Sequence, residues 1–242
     1  MPFSNIYEDA RYADAYAKLE FPGTYALAFR DLPEIFATHV RGKRALDFGC
    51  GAGRSTRFLR RCGFDAVGVD ISEDMVRRGR QLDPDGDYRV IAEGDFGALP
   101  RGAFDLVFSA FAFDNVPTAE RKTRILRGLR RLLAPEGRCV NLVSSPDIYV
   151  NEWVSFSTRD FPENRLARSG DVVRILNTAV ADGRPVEDIL WTDDAWQAVF
   201  AAAAMVQVEA RRPLARQDEP GKWVSETRVA PWVIYVLTPG PD

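Results

Sequence analysis

The chain has 242 residues, 46% apolar and 28% charged, a balance typical of a globular protein rather than a disordered or fibrous one. Its formal net charge of -3 gives no positive field for a polyanion, so no nucleic-acid partner is expected. No stretch approaches the roughly 20 unbroken apolar residues of a membrane span, and the polar N-terminal residues do not resemble a signal peptide. A cytoplasmic location without a membrane partner is therefore expected.

Cysteine and histidine usage narrows the chemistry further. Cys50, Cys62 and Cys139 are widely spaced and form no CxxC pair, which argues against a disulfide framework and a zinc site. The single histidine, His39, lies in an apolar run, where a packed structural imidazole is favoured over a catalytic one. A Ser-His-Asp triad and a multi-histidine metal site are both disfavoured, and we expect no metal.

The N-terminal part carries helical spacing of apolar residues. This spacing predicts helices over residues 5 to 20 and 24 to 40, with a local break at Pro33, which together form a helical cap over residues 1–42. The apolar run at 44–49 then ends in glycines and is followed by an amphipathic helical pattern. The order is therefore strand, glycine turn, helix.

The same alternation continues through the middle of the chain. Further strands are predicted at residues 65–70, 88–95, 104–113 and 138–145, separated by amphipathic helices. Strict alternation of strand and helix predicts a parallel, doubly wound sheet.

The C-terminal part departs from this alternation. Prolines and aromatic residues interrupt residues 146–190, which predicts a lid or substrate-binding insertion. A helix from residue 193 follows, and the last two apolar runs, 206–214 and 228–239, are expected to pair antiparallel.

These elements predict one α/β domain. Its fold is a Rossmann-like, seven-stranded and mostly parallel sheet with helices on both faces, a terminal antiparallel hairpin and a helical N-terminal cap. We expect residues 43–145 to form the ligand-binding core and residues 191–242 the C-terminal helix and hairpin.

The glycine motif ALDFGCGAG is the first chemical signal. Gly49, Gly51 and Gly53 sit where a strand turns into a helix, a place where the backbone must turn tightly and approach a ligand. Dinucleotide-binding loops space their glycines as GxGxxG, whereas the spacing here is GxGxG and Asp47 precedes it. That carboxylate would repel a pyrophosphate and suits a cationic amino group.

Acidic residues end the next two strands. Asp70 lies about twenty residues past the glycine loop, where a carboxylate accepts both hydroxyls of a ribose; the alternative is a cap for the next helix. Asp95 and Phe96 end the third strand, where an acid and a ring could bind adenine; the alternative is an ordinary turn. The order along the carboxyl side of one sheet is more informative than either residue.

The motifs together resemble the class I S-adenosylmethionine (SAM)-dependent methyltransferase family. ALDFGCGAG matches the glycine motif, VGVDIS the ribose motif, AEGDFGALP the adenine motif and FDLVFSAFAFDNVP the fourth-strand motif, while LLAPEGRCVNLV matches the signature entering the fifth strand. The resemblance covers residues 40 to 145 strongly. It implies SAM as cofactor, S-adenosylhomocysteine (SAH) as product and methylation of a small-molecule acceptor.

The resemblance also implies particular roles. The Gly49–Gly51 backbone and Asp47 would hold the methionine part of SAM, Asp70 the ribose, and Ile71 and Phe96 the two faces of adenine. Arg30 is either a partner of the SAM carboxylate or an ordinary surface arginine. The cofactor-binding residues implied are Tyr25, Arg30, Asp47, Gly49, Cys50, Gly51, Asp70, Ile71, Met75, Gly94, Asp95, Phe96, Ser109 and Ala110.

The sequence departs from a common family form at FAFDNVP. Asp114 and Asn115 stand where many relatives carry histidines, which removes the usual candidate base. Methyl transfer by direct in-line displacement can rely mainly on alignment, worth up to roughly 7 to 11 kcal/mol, and a neutral amine needs no base. A phenol or enol acceptor would benefit from a carboxylate, for which Asp114 and Glu152 are candidates.

The acceptor is expected to bind between the N-terminal cap and the insertion. The residues implied are Tyr12, Tyr16, Phe111, Tyr149 and Trp153, whose rings favour a planar or apolar acceptor; the alternative is that they form the lid's own small core. Three other functions compete: a SAM-binding protein that catalyses no methylation, a scaffold of the same fold, and a nicotinamide-dependent oxidoreductase, which the glycine spacing disfavours. The sequence leaves the oligomeric state open.

Overall fold

The computed structural model describes residues 9, 11, 19–216, 218–219 and 221–241. The helices are α1 (Thr24–Arg30), α2 (Leu32–His39), α3 (Arg54–Arg61), α4 (Glu73–Leu82), α5 (Ala119–Leu132) and α6 (Asp193–Ala202). The strands are β1 (Arg44–Phe48), β2 (Asp65–Asp70), β3 (Asp87–Val90), β4 (Phe104–Ala110), β5 (Leu133–Ser144), β6 (Phe156–Ser157), β7 (Val172–Asn177), β8 (Val186–Ile189), β9 (Met205–Arg211) and β10 (Trp232–Pro239). Short 3-10 helices span Ala112–Asn115, Pro146–Tyr149 and Pro162–Leu166.

Seven strands form one sheet in the order β3-β2-β1-β4-β5-β10-β9. Strands β1 to β5 are parallel, whereas β10 lies antiparallel to both β5 and β9. The predicted fold class and terminal antiparallel pairing are thereby confirmed. The strand order reverses between β1 and β4, and open α/β sheets bind ligands at the carboxyl ends of the strands at such a point.

Helices cover both faces of this sheet. On one face, the Phe108 ring of β4 packs against Phe29 of α1 and Phe36 of α2, with ring centroids 6.4 and 5.8 Å apart. On the other face, Val107 lies in a cluster with α5 and α6 that includes the stacked rings of Trp196 and Phe200. Burial of alternate residues on opposite faces explains why β4 is apolar throughout.

The N-terminal cap is described from residue 19 onward. The helical pattern over residues 24 to 40 forms two helices that meet at Asp31, and Pro33 lies in the first turn of α2, where its missing N–H costs no hydrogen bond. His39 at the end of α2 contacts Glu209 of β9 through Nε2 and Oε2 at 2.6 Å. Most of the helix predicted over residues 5 to 20, including Tyr12 and Tyr16, lies outside the described residues.

Two strands end earlier than the sequence predicts. The predicted strand 88–95 ends at Val90, because the chain turns near Gly94, whose φ is 70°. The predicted strand 104–113 ends at Ala110, because Phe111 adopts a left-handed φ of 64° and the 3-10 helix follows. Both turns bring polar residues to the carboxyl edge of the sheet.

The insertion contains a second, small sheet that the sequence analysis did not predict. Strands β6, β7 and β8 are antiparallel in that order, and Val173, Ile175 and Val186 of this sheet join the core beneath α1. The signal was present: alternating apolar residues flank the turn around Asp182 and Gly183, a typical hairpin sequence. In the described part of the chain, no helix has the length and apolar character to cross a membrane.

Candidate functional site

The glycine loop between β1 and α3 can adopt its shape only with glycines. Gly49, Gly51 and Gly53 have φ values of 71°, 52° and 83°, in the left-handed region that disfavours other residues. A Cβ on Gly49 would lie 2.2 Å from the Cβ of Ala112, and one on Gly53 would lie 2.5 Å from the Tyr88 ring. The loop is therefore packed tightly on its inner side and leaves its backbone facing a cleft.

Asp47 supports this loop from behind. Its side chain is wholly buried, and Oδ2 accepts hydrogen bonds from the hydroxyls of Ser55 and Thr56, both at 2.6 Å. Burial raises the pKa of Asp47 to about 6, although the two hydroxyl groups favour the ionised form. Oδ1 has no hydrogen-bond partner in the described residues. Contact between Asp47 and the amino group of SAM stays a prediction.

Asp70 connects the end of β2 to the glycine loop. One carboxylate oxygen accepts the Gly51 N–H at 2.8 Å and the other accepts the Ser72 N–H at 2.9 Å. Desolvation raises the pKa of Asp70, although the backbone N–H groups that bond to this carboxylate favour its ionised form. A carboxylate has about four acceptor positions, so both oxygens retain capacity for ribose hydroxyls. The next residue, Ile71, is 49% exposed, and Met75 lies beneath the loop, its Cε 3.3 Å from a Cβ built on Gly51.

The turn after β3 supports only part of the predicted adenine site. Asp95 is exposed and accepts the Gly97 N–H at 2.9 Å, and Gly94 supplies the positive φ that the turn needs. Phe96, in contrast, packs against α5 so closely that a Cβ on Gly128 would lie 2.4 Å from its ring. Its ring also contacts Phe48, with centroids 6.0 Å apart. In this structure Phe96 is half-buried and packs against the hydrophobic core, and its contact with adenine stays a prediction.

Arg30 does not face the glycine loop. Its guanidinium pairs with Asp31 and Glu219, both at 2.7 Å, and donates to the Leu214 carbonyl at 3.0 Å. Hydrogen bonds to these acidic side chains raise the pKa of Arg30, and the bond to Asp31 has the largest effect. The geometry therefore favours the surface-arginine alternative, and the pairing of Arg30 with a SAM carboxylate stays a prediction.

Arg54, which the sequence analysis did not single out, lines the cleft over the glycine loop. It begins α3, and its guanidinium lies 4.9 Å from the ring centroid of Tyr25 and donates to the Glu20 carbonyl at 3.0 Å. Its position directly after Gly53 was the available signal, since a cation there faces whatever the loop binds.

A first cleft of about 440 Å³ opens over the glycine loop. Its lining residues come from α1, the loop, α3 and the end of β4: Phe29, Gly49, Cys50, Gly51, Ala52, Arg54, Ser55 and Ala110. Ala110 lines this cleft, whereas Ser109 is fully buried within β4 and its hydroxyl has no partner among the described residues; contact of either residue with SAM stays a prediction.

A second cleft, of about 390 Å³, adjoins the first. Tyr25 of α1 lines it and lies one helical turn from Phe29 of the first cleft. Phe111 also lines it and directly follows Ala110 of the first cleft. Its other lining residues are Asp114, Asn115, Ser144, Ile148, Tyr149, Phe156, Ile175, Val186, Asp188 and Trp232. The small sheet of the insertion therefore forms one wall.

The aromatic residues predicted to bind the acceptor divide between this cleft and the core. Phe111 and Tyr149 line the cleft. Tyr25, predicted at the cofactor, also lines it and accepts a hydrogen bond from Asn177 at 3.1 Å. Trp153 is 4% exposed and donates its indole N–H to the Ile148 carbonyl at 2.8 Å. Its predicted contact with an acceptor is replaced by packing within the insertion.

The two carboxylates proposed as bases have different environments. Asp114 lines the second cleft and accepts the Ser144 N–H at 3.1 Å, and burial raises its pKa to about 6. Glu152 instead accepts the Thr158 N–H at 2.7 Å and the Ser157 hydroxyl at 2.8 Å. These bonds outweigh desolvation and lower its pKa, so Glu152 stabilises a turn and is not positioned as a base.

Asp188 on β8 is the cleft residue that sequence reasoning missed. It is 8% exposed, Oδ2 accepts the Tyr149 hydroxyl at 3.1 Å, and burial followed by the charge of Asp114 raises its pKa to about 8. Lys122 of α5 lies behind the cleft, wholly buried, and donates to the Phe113 carbonyl. An acid at an inward position of an alternating strand was the available signal for Asp188.

The glycine loop, the acid ending β2 and the clefts at the carboxyl edge define a Rossmann-like domain of the methyltransferase type. Residues 46–141 match the family model described as "Methyltransferase domain". Over this segment the chain is therefore similar to methyltransferases.

Curated proteins with similar sequences are also methyltransferases. A ubiquinone biosynthesis O-methyltransferase of Xanthomonas oryzae pv. oryzae is 33% identical over 103 residues, 41% of this chain and 42% of that protein. A 2-methyl-6-phytyl-1,4-hydroquinone methyltransferase of Synechocystis is 33% identical over 126 residues, 51% of this chain and 36% of that protein. The matched segment therefore spans less than half of these relatives.

Solved structures match over almost the whole chain and show the fold. An S-adenosylmethionine-dependent methyltransferase from Clostridium acetobutylicum has a TM-score of 0.64 at 12% identity, over 98% of this chain and 97% of that one. Streptomyces venezuelae DesVI has a TM-score of 0.65 at 19% identity, over 96% and 100%.

Proposed function

We propose that this chain transfers a methyl group from SAM to a small-molecule acceptor by direct in-line displacement. The observation that carries the proposal is the pair of adjoining clefts at the carboxyl edge of the sheet, one lined by glycine-loop backbone and the other by aromatic and acidic side chains. One cleft suits a nucleoside-containing donor, and the other suits a partly apolar acceptor.

The glycine loop that lines the first cleft and the residues at the end of β2 fit SAM. The Gly49–Gly51 backbone would contact its methionine part, Asp70 its ribose hydroxyls and Ile71 its adenine, while Arg54 would face its carboxylate. The fit rests on the left-handed glycines, the remaining acceptor capacity of Asp70 and the exposed side chain of Ile71. When bound, SAM supplies a methyl group that its sulfonium has already activated.

The chain's own contribution is alignment and exclusion of water. Tyr25 and Phe29 of α1 cover the boundary between the two clefts, and both side chains are about 4% exposed. Holding an acceptor against a bound donor in a fixed geometry supplies much of the rate increase for a displacement of this kind.

The relatives support a small molecule as acceptor, since their names refer to ubiquinone biosynthesis and to a hydroquinone. The match to the family model, residues 46–141, ends before the insertion, so it excludes one wall of the second cleft. The nature of the acceptor must therefore be argued from that cleft and not from the relatives.

Calorimetric titration with SAM and SAH tests the donor assignment. We expect micromolar binding of both and none of NADH. Asp70→Ala should abolish binding and Asp70→Asn should weaken it, because the amide keeps one acceptor oxygen. Asp74→Asn is the matched control, since Asp74 is an exposed acid on the following helix. Absence of SAH binding to the folded protein, or equal binding by Asp70→Ala, would contradict the proposal.

A further inference from the structure

Several acceptor atoms of the second cleft have no hydrogen-bond partner among the described residues. Asp188 offers Oδ1, which has no hydrogen-bond partner within the described part of the chain, and the side-chain oxygen of Asn115 is buried without one. Asp114 offers further acceptor capacity beyond the Ser144 N–H. The Tyr149 hydroxyl is already donated to Asp188. A ligand that satisfies this cleft must therefore bring several donors.

The charged groups around the cleft also favour a cation. The titratable residues that face Asp188 are Asp114 on the 3-10 helix, Tyr149 on the next 3-10 helix, and Lys122 on α5. Lys122 is the one cation of these groups, and its ammonium lies over the rings of Trp191 and Trp196, 4.8 and 5.0 Å from their centroids. With both acids ionised, one negative charge stays uncompensated.

Aromatic rings form the remaining walls. Tyr25 stacks on Trp232 with centroids 5.7 Å apart, and Phe111 and Phe156 contact the same indole at 4.8 and 5.7 Å. Ring faces attract a cation and exclude an anion, so they act in the same direction as the carboxylates. They also provide apolar area for the body of the ligand.

We infer that the acceptor is an alkylamine with an apolar or aromatic body, whose nitrogen binds at Asp114 and Asp188 and is the atom that becomes methylated. This inference rests on the proposed methyl transfer, and it specifies the acceptor class. An ammonium group supplies three N–H donors for the unpartnered acceptors and one positive charge for the second carboxylate.

The carboxylates also complete the proton balance. Asp188 takes one proton from the bound ammonium and frees the nitrogen lone pair. Burial raises the pKa of Asp188 to about 8, which brings its proton affinity closer to that of an amine. The lone pair then forms the bond to the methyl carbon as the carbon–sulfur bond breaks and its electron pair remains on sulfur. The methylated ammonium leaves, and a proton passes from the acid to solvent.

Titration with matched amines and alcohols tests the inference. Phenethylamine and benzylamine are compared with 2-phenylethanol and benzyl alcohol at pH 7, with SAH present, in phosphate and in Tris. We expect at least one amine to bind roughly tenfold or more tighter than its alcohol. Amine binding should also release about one proton, seen as a buffer-dependent enthalpy, because Asp188 must ionise to pair with the ammonium.

Two variants and a control assign the effect to the cleft. Asp188→Asn should lose both the amine preference and the proton release, and Asp114→Asn should lose the preference, while both keep the SAH affinity of the wild type. Asp160→Asn is the matched control, because Asp160 is an exposed acid of the same insertion, and it should change neither. Thermal unfolding of each variant verifies that it is folded.

The outcomes separate the acceptor from the donor. Three outcomes would each overturn the amine assignment and leave the donor assignment intact. They are equal binding of amines and alcohols, no amine binding by the SAH complex, and an amine preference retained in Asp188→Asn. An amine preference that depends on Asp188 in a protein that does not bind SAH would support the amine site and overturn the proposed methyl transfer.

Discussion

Arg54 lines the first cleft directly after the glycine loop, whereas Arg30 pairs with Asp31 and Glu219. Replacing Arg54 with Gln should weaken SAH binding roughly tenfold to a hundredfold, the range for one charged hydrogen bond. Arg30→Gln should leave binding unchanged, because that guanidinium is held by Asp31 and Glu219. Calorimetric titration of both variants decides between them; a larger loss in Arg30→Gln would restore the interpretation made from sequence.

The buried carboxyl of Asp188 makes the stability of the fold depend on pH, and its burial determines the direction of that dependence. In the folded protein this carboxyl has a pKa of about 8, compared with 3.8 for an unperturbed Asp, so the folded state binds the proton more tightly than the unfolded state. The free energy of unfolding should therefore fall as pH rises from about 4 to 8, by at most roughly 1.4 kcal/mol per pH unit from this group.

Asp188→Asn removes that titration while its amide oxygen can still accept the Tyr149 hydroxyl. We expect the variant to gain stability relative to the wild type as pH rises, and to be the more stable of the two at pH 8. Urea unfolding at pH 5, 6, 7 and 8 measures the difference, with Asp160→Asn as control. A difference that does not change with pH would show that Asp188 titrates normally.

At the scale of elements, Glu226 joins three segments that are distant in sequence. Its side chain is fully buried and accepts the Thr24 hydroxyl of α1 at 2.7 Å, the Val154 N–H of the insertion at 2.8 Å and the Val224 N–H at 2.8 Å. Trp232 of β10 also donates to the Thr24 carbonyl, at 2.9 Å. The helix that covers both clefts is thus fixed at its first residue.

Glu226→Gln should loosen this junction. An amide has one oxygen, so one of the three donors loses its acceptor, and the cost should be about 1–3 kcal/mol. We expect faster amide exchange in α1 and around residues 154–156, with the strands of the large sheet unchanged. Glu219→Gln weakens the partly exposed pair with Arg30 and the nearby bond from the Arg216 N–H, and should cost less than about 1 kcal/mol. Equal effects of the two variants would contradict the proposed junction.

Elements with strong local signals were predictable from sequence. The glycines and Asp70 fix the turns at β1 and β2, so those strands and the cleft above them follow from a short stretch of chain. The ends of β3 and β4 were predicted too far along, because apolar residues continue past them. Phe111 has no glycine to mark its positive φ, and tertiary contacts with Tyr25 and Trp232 hold it there.

At the scale of the whole molecule, the second cleft was the least predictable feature. Its residues are distant in sequence: Asp188 comes from the insertion, Asp114 from the 3-10 helix after β4, and Tyr25 from α1. No local pattern indicates that they meet. No local pattern indicates the pairing of Arg30 with Glu219 of the C-terminal loop either. Sequence motifs predict residues that act through nearby backbone, whereas pairings across the chain require the folded structure.

The first cleft is connected to much of the fold, so ligand binding there should stabilise the protein as a unit. The glycine loop packs on Ala112 and Tyr88 and is bonded to Asp70, which lies at the end of β2. SAH at about 100 times its dissociation constant should raise the free energy of unfolding by roughly 2.7 kcal/mol and the melting temperature by about 5–11 °C.

The shift should be absent in Asp70→Ala and retained in Asp188→Asn, because Asp70 accepts a hydrogen bond from the glycine loop and Asp188 lines the second cleft. Thermal unfolding followed by circular dichroism, with and without SAH, measures all three proteins, and NADH serves as the control ligand. A shift of equal size with NADH, or one that persists in Asp70→Ala, would mean that the stabilising ligand binds somewhere other than the glycine loop. Loss of the shift in Asp188→Asn would instead mean that the two clefts form one site.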